Sequence, residues 1–286
     1  MSANILLEAP LPPQAVKRRV VAYLGFGLLL VVVVLAFLGP LFATHDPTQA
    51  NALEALQPPG ARHWLGTNSY GGDIFSRVVS AARLDLFIGF ASVASAFVIA
   101  APLGTAVGYS RAWWASVTMR AMDFIQSFPV FILAMAIVSV RGPGTFNVIL
   151  VIALLNVPIF VRLIRAEVLS LRERAFVDAA RAVGNSGFRL VTRHIMPNAL
   201  GPSIAQASAN IGWALLLTAG LSFVGAGIRP PTPEWGTMIA EGAQNMITGE
   251  WWISLFPGLA LGTAVLGFAL AGDALRALLD VRARTV

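Results

Sequence analysis

Long uncharged apolar runs alternate with polar stretches along this chain. Residues 20–42 hold no charged side chain, and neither do 86–110, 124–140, 146–161, 203–228 and 251–272. About 20 mostly apolar residues cross the hydrocarbon core of a bilayer, so the pattern predicts six membrane spans. Lipid offers no partner to a backbone N–H or C=O, so each span is expected to be a helix that satisfies its own backbone. The third and fourth runs are short and are expected to extend past flanking charges, Asp123 at one end and Arg162 at the other. Arg162 is expected to snorkel toward the headgroups. The fold class is therefore an all-α membrane protein with six transmembrane helices.

Composition supports that class. Of 286 residues, 57% are hydrophobic and 12% charged, about half the charged fraction of a soluble domain. Disordered chains are poor in apolar residues, so disorder does not explain the deficit. No cysteine is present, which removes disulfides, thiolate metal sites and thiol catalysis.

Lys17, Arg18 and Arg19 precede the first run. The apolar region of a cleavable leader is about 7–15 residues, and this run is longer. It is read as a retained span, with cleavage after Ala43 the lesser alternative. With the N-terminus inside, 15 Lys and Arg residues fall on the inner side and five on the outer. The positive-inside bias thus places both termini in the cytoplasm. The net charge of +6 becomes a topology signal, and no nucleic-acid partner is expected.

The resulting divisions are a cytoplasmic tail (1–19), a first helix (20–42), an extracytoplasmic stretch (43–85), a five-helix core (86–272) containing an inner loop (162–202), and a cytoplasmic tail (273–286). Trp113, Trp114, Trp251 and Trp252 sit at span ends, where amphipathic rings favour the interface. Pro102, Pro129 and Pro257 fall inside spans and read as packing kinks.

The inner loop is the most informative polar stretch. Strong helix formers run up to Gly184, and Gly184-Asn185 suits a left-handed helix stop. A second short helix is expected over 186–195, after which Pro197 breaks it and opens the fifth span. Ala179, Ala180, Ala182 and Gly184 are small enough for another backbone to approach. Phe176, Phe188 and Leu190 are candidate apolar anchors. From composition alone, docking on a protein and resting on anionic headgroups are equally supported.

Other chemistry is thin. The only lysine, Lys17, is not in a Gly-x4-Gly-Lys-Ser/Thr loop, so this chain has no such ATP site. The histidines His45, His63 and His194 form no close ligand pair; His45 and His63 share the outer stretch, so distant metal ligation by them is the lesser alternative, and no metal site is expected. Asp123 is a candidate functional carboxylate of the kind found inside membranes, with pairing to Arg120 the preferred structural alternative. Asn156 lies in the fourth span. Gln206, Asn210 and Trp213 share one face of the fifth by spacing. These polar groups either line a pathway or bond helix to helix.

Asp178-Ala179-Ala180, Gly184 and Pro197 resemble the coupling loop of ABC importer permeases, with Asp178 in place of the usual Glu and Met196 in place of Leu. Arg193 and His194 fall inside the same loop, and His194 is similar to the peptide branch. Leu65-Gly66-Thr67-Asn68 with 72–77 resembles that branch's LGTD…GRD..SR stretch, with Asn68 for Asp and Gly72 for Arg. Segments 123–129, 142–147, 221–225, 231–236, 256–258 and 272–282 match in order. The chain is identified as similar to the second permease of the dipeptide, oligopeptide and nickel branch.

That resemblance implies the type I importer fold in a bacterial inner membrane. It implies a related permease partner, two ATPase subunits holding ATP and Mg²⁺, and an extracytoplasmic solute-binding protein. It implies no catalytic residue and no cofactor on this chain. Peptides are the expected substrate, with nickel chelates or glutathione as alternatives. An ion-coupled secondary transporter is the rival of a different class, and a membrane enzyme would need a base inside spans that hold no His, Lys, Asp or Glu.

Overall fold

The computed structural model describes residues 13–279. The N-terminal tail through residue 12, the side chains of Lys17, Arg18 and Arg19, and Asp280, Arg282 and Arg284 of the C-terminal tail lie outside the described residues. Regular structure among the described residues is helical, apart from one isolated bridge between Thr67 and Asp73.

Five helices are long and apolar enough to cross a bilayer: α1 (Pro13–Phe42), α2 (Ile74–Tyr109), α5 (Thr145–Leu171), α9 (Gly201–Phe223) and α11 (Trp252–Leu279). Between α2 and α5 the chain forms α3 (Trp113–Gln126) and α4 (Val130–Arg141), bent by 90° to each other. The expected straight third span is thus broken at Ser127-Phe128-Pro129. Pro129 is not a kink within a helix: it caps α4 with an extended ψ of 121°, and a proline disfavours helical geometry in the residue before it.

The bent pair still makes a crossing. Arg111, just before α3, lies 3.9 Å from Glu173 at the end where α2 finishes. Gly144, just after α4, donates its N–H to the Gly227 carbonyl beyond the far end of α9. The chain therefore enters the pair at one face and leaves it at the other, giving six crossings.

One boundary differs from expectation, and another runs past its flanking charge as expected. The second helix begins at Ile74, twelve residues before 86, although it carries Arg77, Arg83 and Asp85 in its first turns. Buried Arg77 donates from Nη1 to the Pro47 carbonyl at 2.9 Å, and buried Asp85 accepts from the Trp235 N–H at 3.1 Å. The fourth span likewise runs on to Leu171, past Arg162 and Arg165. Charged residues end an apolar run without ending a helix.

Glycines bring α2 and α5 together. A Cβ added at Gly104 would stand 3.0 Å from Ile164 Cβ, and one at Gly108 would stand 2.8 Å from Val168 Cβ. This Gly-x3-Gly spacing lets helix backbones approach without intervening side chains. Ile164 and Val168 are fully buried there.

One end of the bundle is capped by two segments, 43–73 and 224–251, expected from the charge bias to lie outside, the second containing α10 (Trp235–Asn245). Trp252 is buried and donates its indole N–H to the Thr67 carbonyl at 3.2 Å, so it serves the cap, not the lipid interface. The opposite end carries the segment between α5 and α9.

Candidate functional site

The segment between α5 and α9 starts with a turn at Arg172-Glu173-Arg174 and then forms α6 (Ala175–Ala182). Helix α6 has two distinct faces. Val177 and Ala180 are buried against the bundle, while Phe176, Asp178, Ala179, Arg181 and Ala182 are exposed. Asp178 accepts from Arg181 Nη1 at 3.0 Å, a surface pair one turn apart. Ala180 therefore packs inward and is not a contact residue for another backbone.

Gly184 ends α6 with φ +83°, and its N–H bonds to the Arg181 carbonyl at 2.9 Å. No atom lies within 4 Å of a Cβ built there. Gly184 is thus required by backbone conformation, and not by close approach within this chain. Asn185 closes the turn, donating from Nδ2 to the Ala180 carbonyl at 2.9 Å.

Ser186 then caps α7 (Gly187–Leu190), and a π-helical stretch over Val191–Ile195 leads into α8 (Met196–Ala199). Pro197 does not break the second helix as expected. Pro197 sits in the first turn of α8, where its missing N–H is tolerated, and the bend falls at Leu200 instead. Phe188 is 81% exposed and Val183 79%, whereas Leu190 is 1% exposed. Phe188 stands as an apolar tip; Leu190 is an inward core residue. Val183, just before the glycine stop, was missed in the sequence, where its only signal is an apolar residue at a helix end. Arg193 and Pro197 are exposed, and His194 is half-buried.

Beneath α6 lies a cleft of about 390 Å³ lined by Tyr109, Arg111, Arg172, Glu173, Asp178 and Arg181. Arg172 ties it to α2 by donating from Nη1 to the Gly108 carbonyl at 3.3 Å. The exposed part of α6 is therefore mounted on the end of the longest helix.

The polar residues of the spans form one hydrogen-bonded series. Asn156 Nδ2 donates to the Ile152 carbonyl at 2.9 Å, and Asn210 Nδ2 donates to Asn156 Oδ1 at 2.8 Å. Gln206 Nε2 donates to Asn210 Oδ1 at 2.8 Å, and Arg276 Nη2 donates to Gln206 Oε1 at 2.6 Å. The series joins α5, α9 and α11. Trp213 is not in it and packs against the apolar core. Asp123 pairs with Arg162 at 2.7 Å, not with Arg120. Arg162 is thereby held across to α3.

The segment is thus an exposed, two-faced helix held to the bundle and followed by a glycine stop. Residues 100–285, which include it, match the family described as the binding-protein-dependent transport system inner membrane component. Residues 14–59 match the N-terminal TM domain of oligopeptide transport permease C.

The chain belongs to this permease family.

Among relatives, the permease is 39% identical to the dipeptide transport system permease protein DppC of Alkalihalophilus pseudofirmus, over 94% of this chain and 88% of that one. It is 39% identical to the probable D,D-dipeptide transport system permease protein DdpC of Escherichia coli K12, over 90% and 86%. A glutathione transport system permease protein, GsiD of Pectobacterium atrosepticum, is 34% identical over 94% and 89%. An inward-facing structure of the MetNI methionine ABC transporter matches with TM-score 0.58 at 19% identity, over 71% of this chain and 96% of that one, and supports the fold.

The permease is accordingly a non-catalytic, multi-pass inner-membrane subunit with the type I importer fold. Family membership removes the secondary-transporter and membrane-enzyme readings. At the cap formed by 43–73 and 224–251, the permease's departure from the branch motif has a structural counterpart. Asn68 Oδ1 accepts from the Gly72 N–H at 2.6 Å, and Asn68 Nδ2 donates to Glu241 Oε2 at 3.1 Å. A Cβ at Gly72 would come within 3.1 Å of Asn68 Oδ1.

Proposed function

We propose that this permease is one of two related transmembrane subunits of an ATP-driven importer of di- or oligopeptides. Its α6–α7 segment docks on a separate ATPase subunit in the cytoplasm. The observation that carries this reading is the split face of α6: Val177 and Ala180 anchor it inward, while Phe176, Asp178, Ala179 and Val183 are left exposed beside Phe188. An apolar tip ringed by small and charged residues suits a protein groove, because buried apolar anchors dominate binding energy.

ATP and Mg²⁺ are held by the ATPase pair, and a binding protein delivers substrate at the outer cap. Both termini then lie in the cytoplasm, in line with the charge bias of the loops. Movement of the docked ATPase is transmitted through α6 to α5, and through Arg172 to α2. Asp178, Ala179, Gly184, Phe188, Arg193, His194 and Pro197 belong to this unit as contact or shaping residues. Peptide import is supported by the named functions of the relatives at 39% identity.

The test is co-purification with the co-encoded ATPase and binding protein, followed by ATP hydrolysis in proteoliposomes. Asp178→Arg and Phe188→Asp, both at exposed positions, are expected to abolish ATPase association while leaving the permease folded. Retained association and peptide-stimulated hydrolysis in both variants would sink the docking role. A binding protein that ignores di- and tripeptides would sink the substrate assignment.

A further inference from the structure

Two imidazoles and two carboxylates meet at the outer cap, away from the docking segment. His45 follows α1, Glu54 ends a short 3₁₀ turn (Ala52–Glu54), His63 lies in the loop after it, and Asp73 caps α2. One donor atom from each of His45, His63 and Asp73 falls within 4.8 Å of the other two. The two rings lie 4.7 Å apart at 32° to one another.

Asp73 divides its oxygens between two tasks. Oδ2 accepts from the Ser76 N–H at 2.8 Å and from Ser76 Oγ at 2.7 Å, which is the helix cap. Oδ1 is turned instead toward both imidazoles, 2.9 Å from His63 Nδ1 and 3.8 Å from His45 Nδ1. A capping carboxylate needs no imidazole, and two converging on one oxygen is the donor arrangement of a metal site.

His63 supplies the second observation. It is 3% exposed, and its Nε2 has no hydrogen-bond partner. Glu54 Oε2 stands 3.7 Å from that nitrogen, so the ring lies between two carboxylates. A neutral imidazole carries one N–H and one lone pair. Whichever nitrogen holds the proton, the other lone pair faces a carboxylate. A cation at the Nδ1 side resolves the conflict: Nδ1 and Asp73 Oδ1 become ligands, and Nε2–H turns to Glu54. Metal-bound histidines regularly donate their second N–H to a carboxylate in this way.

We propose that His45, His63 and Asp73 form a binding site for a divalent transition-metal ion of the Zn²⁺ class, with Glu54 as the positioning partner of His63. The two-nitrogen, one-oxygen donor set suits Zn²⁺ and its borderline neighbours over Ca²⁺ or Mg²⁺. With bonds of about 2.0–2.2 Å, His45 at 3.8 Å from Asp73 Oδ1 moves inward, and the 2.9 Å His63–Asp73 pair opens slightly to admit the ion. His45 is on the open side of the cluster, with its side chain 35% exposed. Its present partner there is Thr44, whose Oγ1 lies 2.9 Å from Nδ1 and is released on ligation. The ion ties together the end of α1, the connecting loop and the start of α2, adding to the His45 N–H bond to Ser76 Oγ at 3.0 Å.

The experiment uses the full-length permease without a polyhistidine tag, in nanodiscs, stripped with chelator and titrated with Co²⁺ and then Zn²⁺. One equivalent of Co²⁺ per chain is expected, with a visible ligand-field band that Zn²⁺ bleaches. His45→Ala, at the half-exposed ligand, is expected to weaken binding at least tenfold. His63→Gln is expected to abolish the band, and His194→Ala, at the opposite end, to leave it unchanged. Wild-type protein that binds no stoichiometric ion overturns the proposal. So does a band that survives in the folded His45→Ala variant. Neither result depends on peptide transport or on ATPase docking.

Discussion

Asn68 and Glu241, 173 residues apart in sequence, are joined through the Asn68 side-chain amide, which donates to Glu241 Oε2 at 3.1 Å. The Ser69 N–H donates to the other oxygen of the same carboxylate at 3.1 Å. Asn68 stands where the branch motif has Asp. An aspartate here would set two carboxylates face to face, so the departure and the contact belong together. Asn68→Asp is expected to lower stability by about 1–3 kcal/mol, the cost of an unsatisfied buried polar group. Thermal unfolding in detergent checks it, and Glu241→Gln in the same chain should restore much of the loss. An Asn68→Asp protein as stable as the wild type would refute the pairing.

Gly108 offers a packing test. Its added Cβ would sit 2.8 Å from Val168 Cβ, and both residues are in the tightest helix pair. Overpacking a filled core costs about 1–3 kcal/mol, so Gly108→Val should lower the unfolding midpoint. Gly262→Val, at a site with no atom within 4 Å of the new Cβ, should change it far less.

Gly184 separates conformation from contact. At φ +83° a β-carbon costs about 1–2 kcal/mol, while asparagine tolerates the region better. Gly184→Val is expected to impair ATPase coupling strongly and Gly184→Asn only mildly. If the two variants behave alike in a hydrolysis assay, the glycine acts through surface contact and not through backbone geometry.

The Asn156–Asn210 bond tests the role of the polar series. Interhelical hydrogen bonds in membranes contribute about 0.6–2 kcal/mol. A double-mutant cycle with Asn156→Leu and Asn210→Leu should return a coupling energy in that range. Unchanged stability together with lost transport would instead place these residues on the substrate path.

Much of this architecture could be read from hydrophobic patterning, because lipid demands long uncharged helices. The patterning failed where a charge is satisfied inside the protein. Arg77 and Asp85 looked like residues of an outer loop, yet backbone groups near Pro47 and Trp235 hold them within α2. Asp73 followed by Ser76 was a usable helix-start signal that hydropathy alone passes over. The break at Ser127-Phe128-Pro129 was hidden because both arms are apolar. The glycine stop at Gly184 was legible, since few other residues accept that conformation. What separates Phe188 from Leu190 was not: two apolar residues two positions apart on a short helix face opposite ways, and only the tertiary packing decides which is the tip. His45 and His63 share one outer stretch, but eighteen residues separate them, and spacing carries no record of how a loop folds back.

The interlacing of the two outer segments has a consequence for biosynthesis. Thr67, Asn68 and Ser69 find their partners in Trp252, Glu241 and Asn245, which leave the ribosome 173 to 185 residues later. Chains form from the N-terminus, so the early segment must wait, incompletely bonded, until these later residues are made. The cap therefore closes in two stages: Glu241 and Asn245 arrive with α10, and the Thr67 carbonyl gains its indole partner only when α11 begins at Trp252.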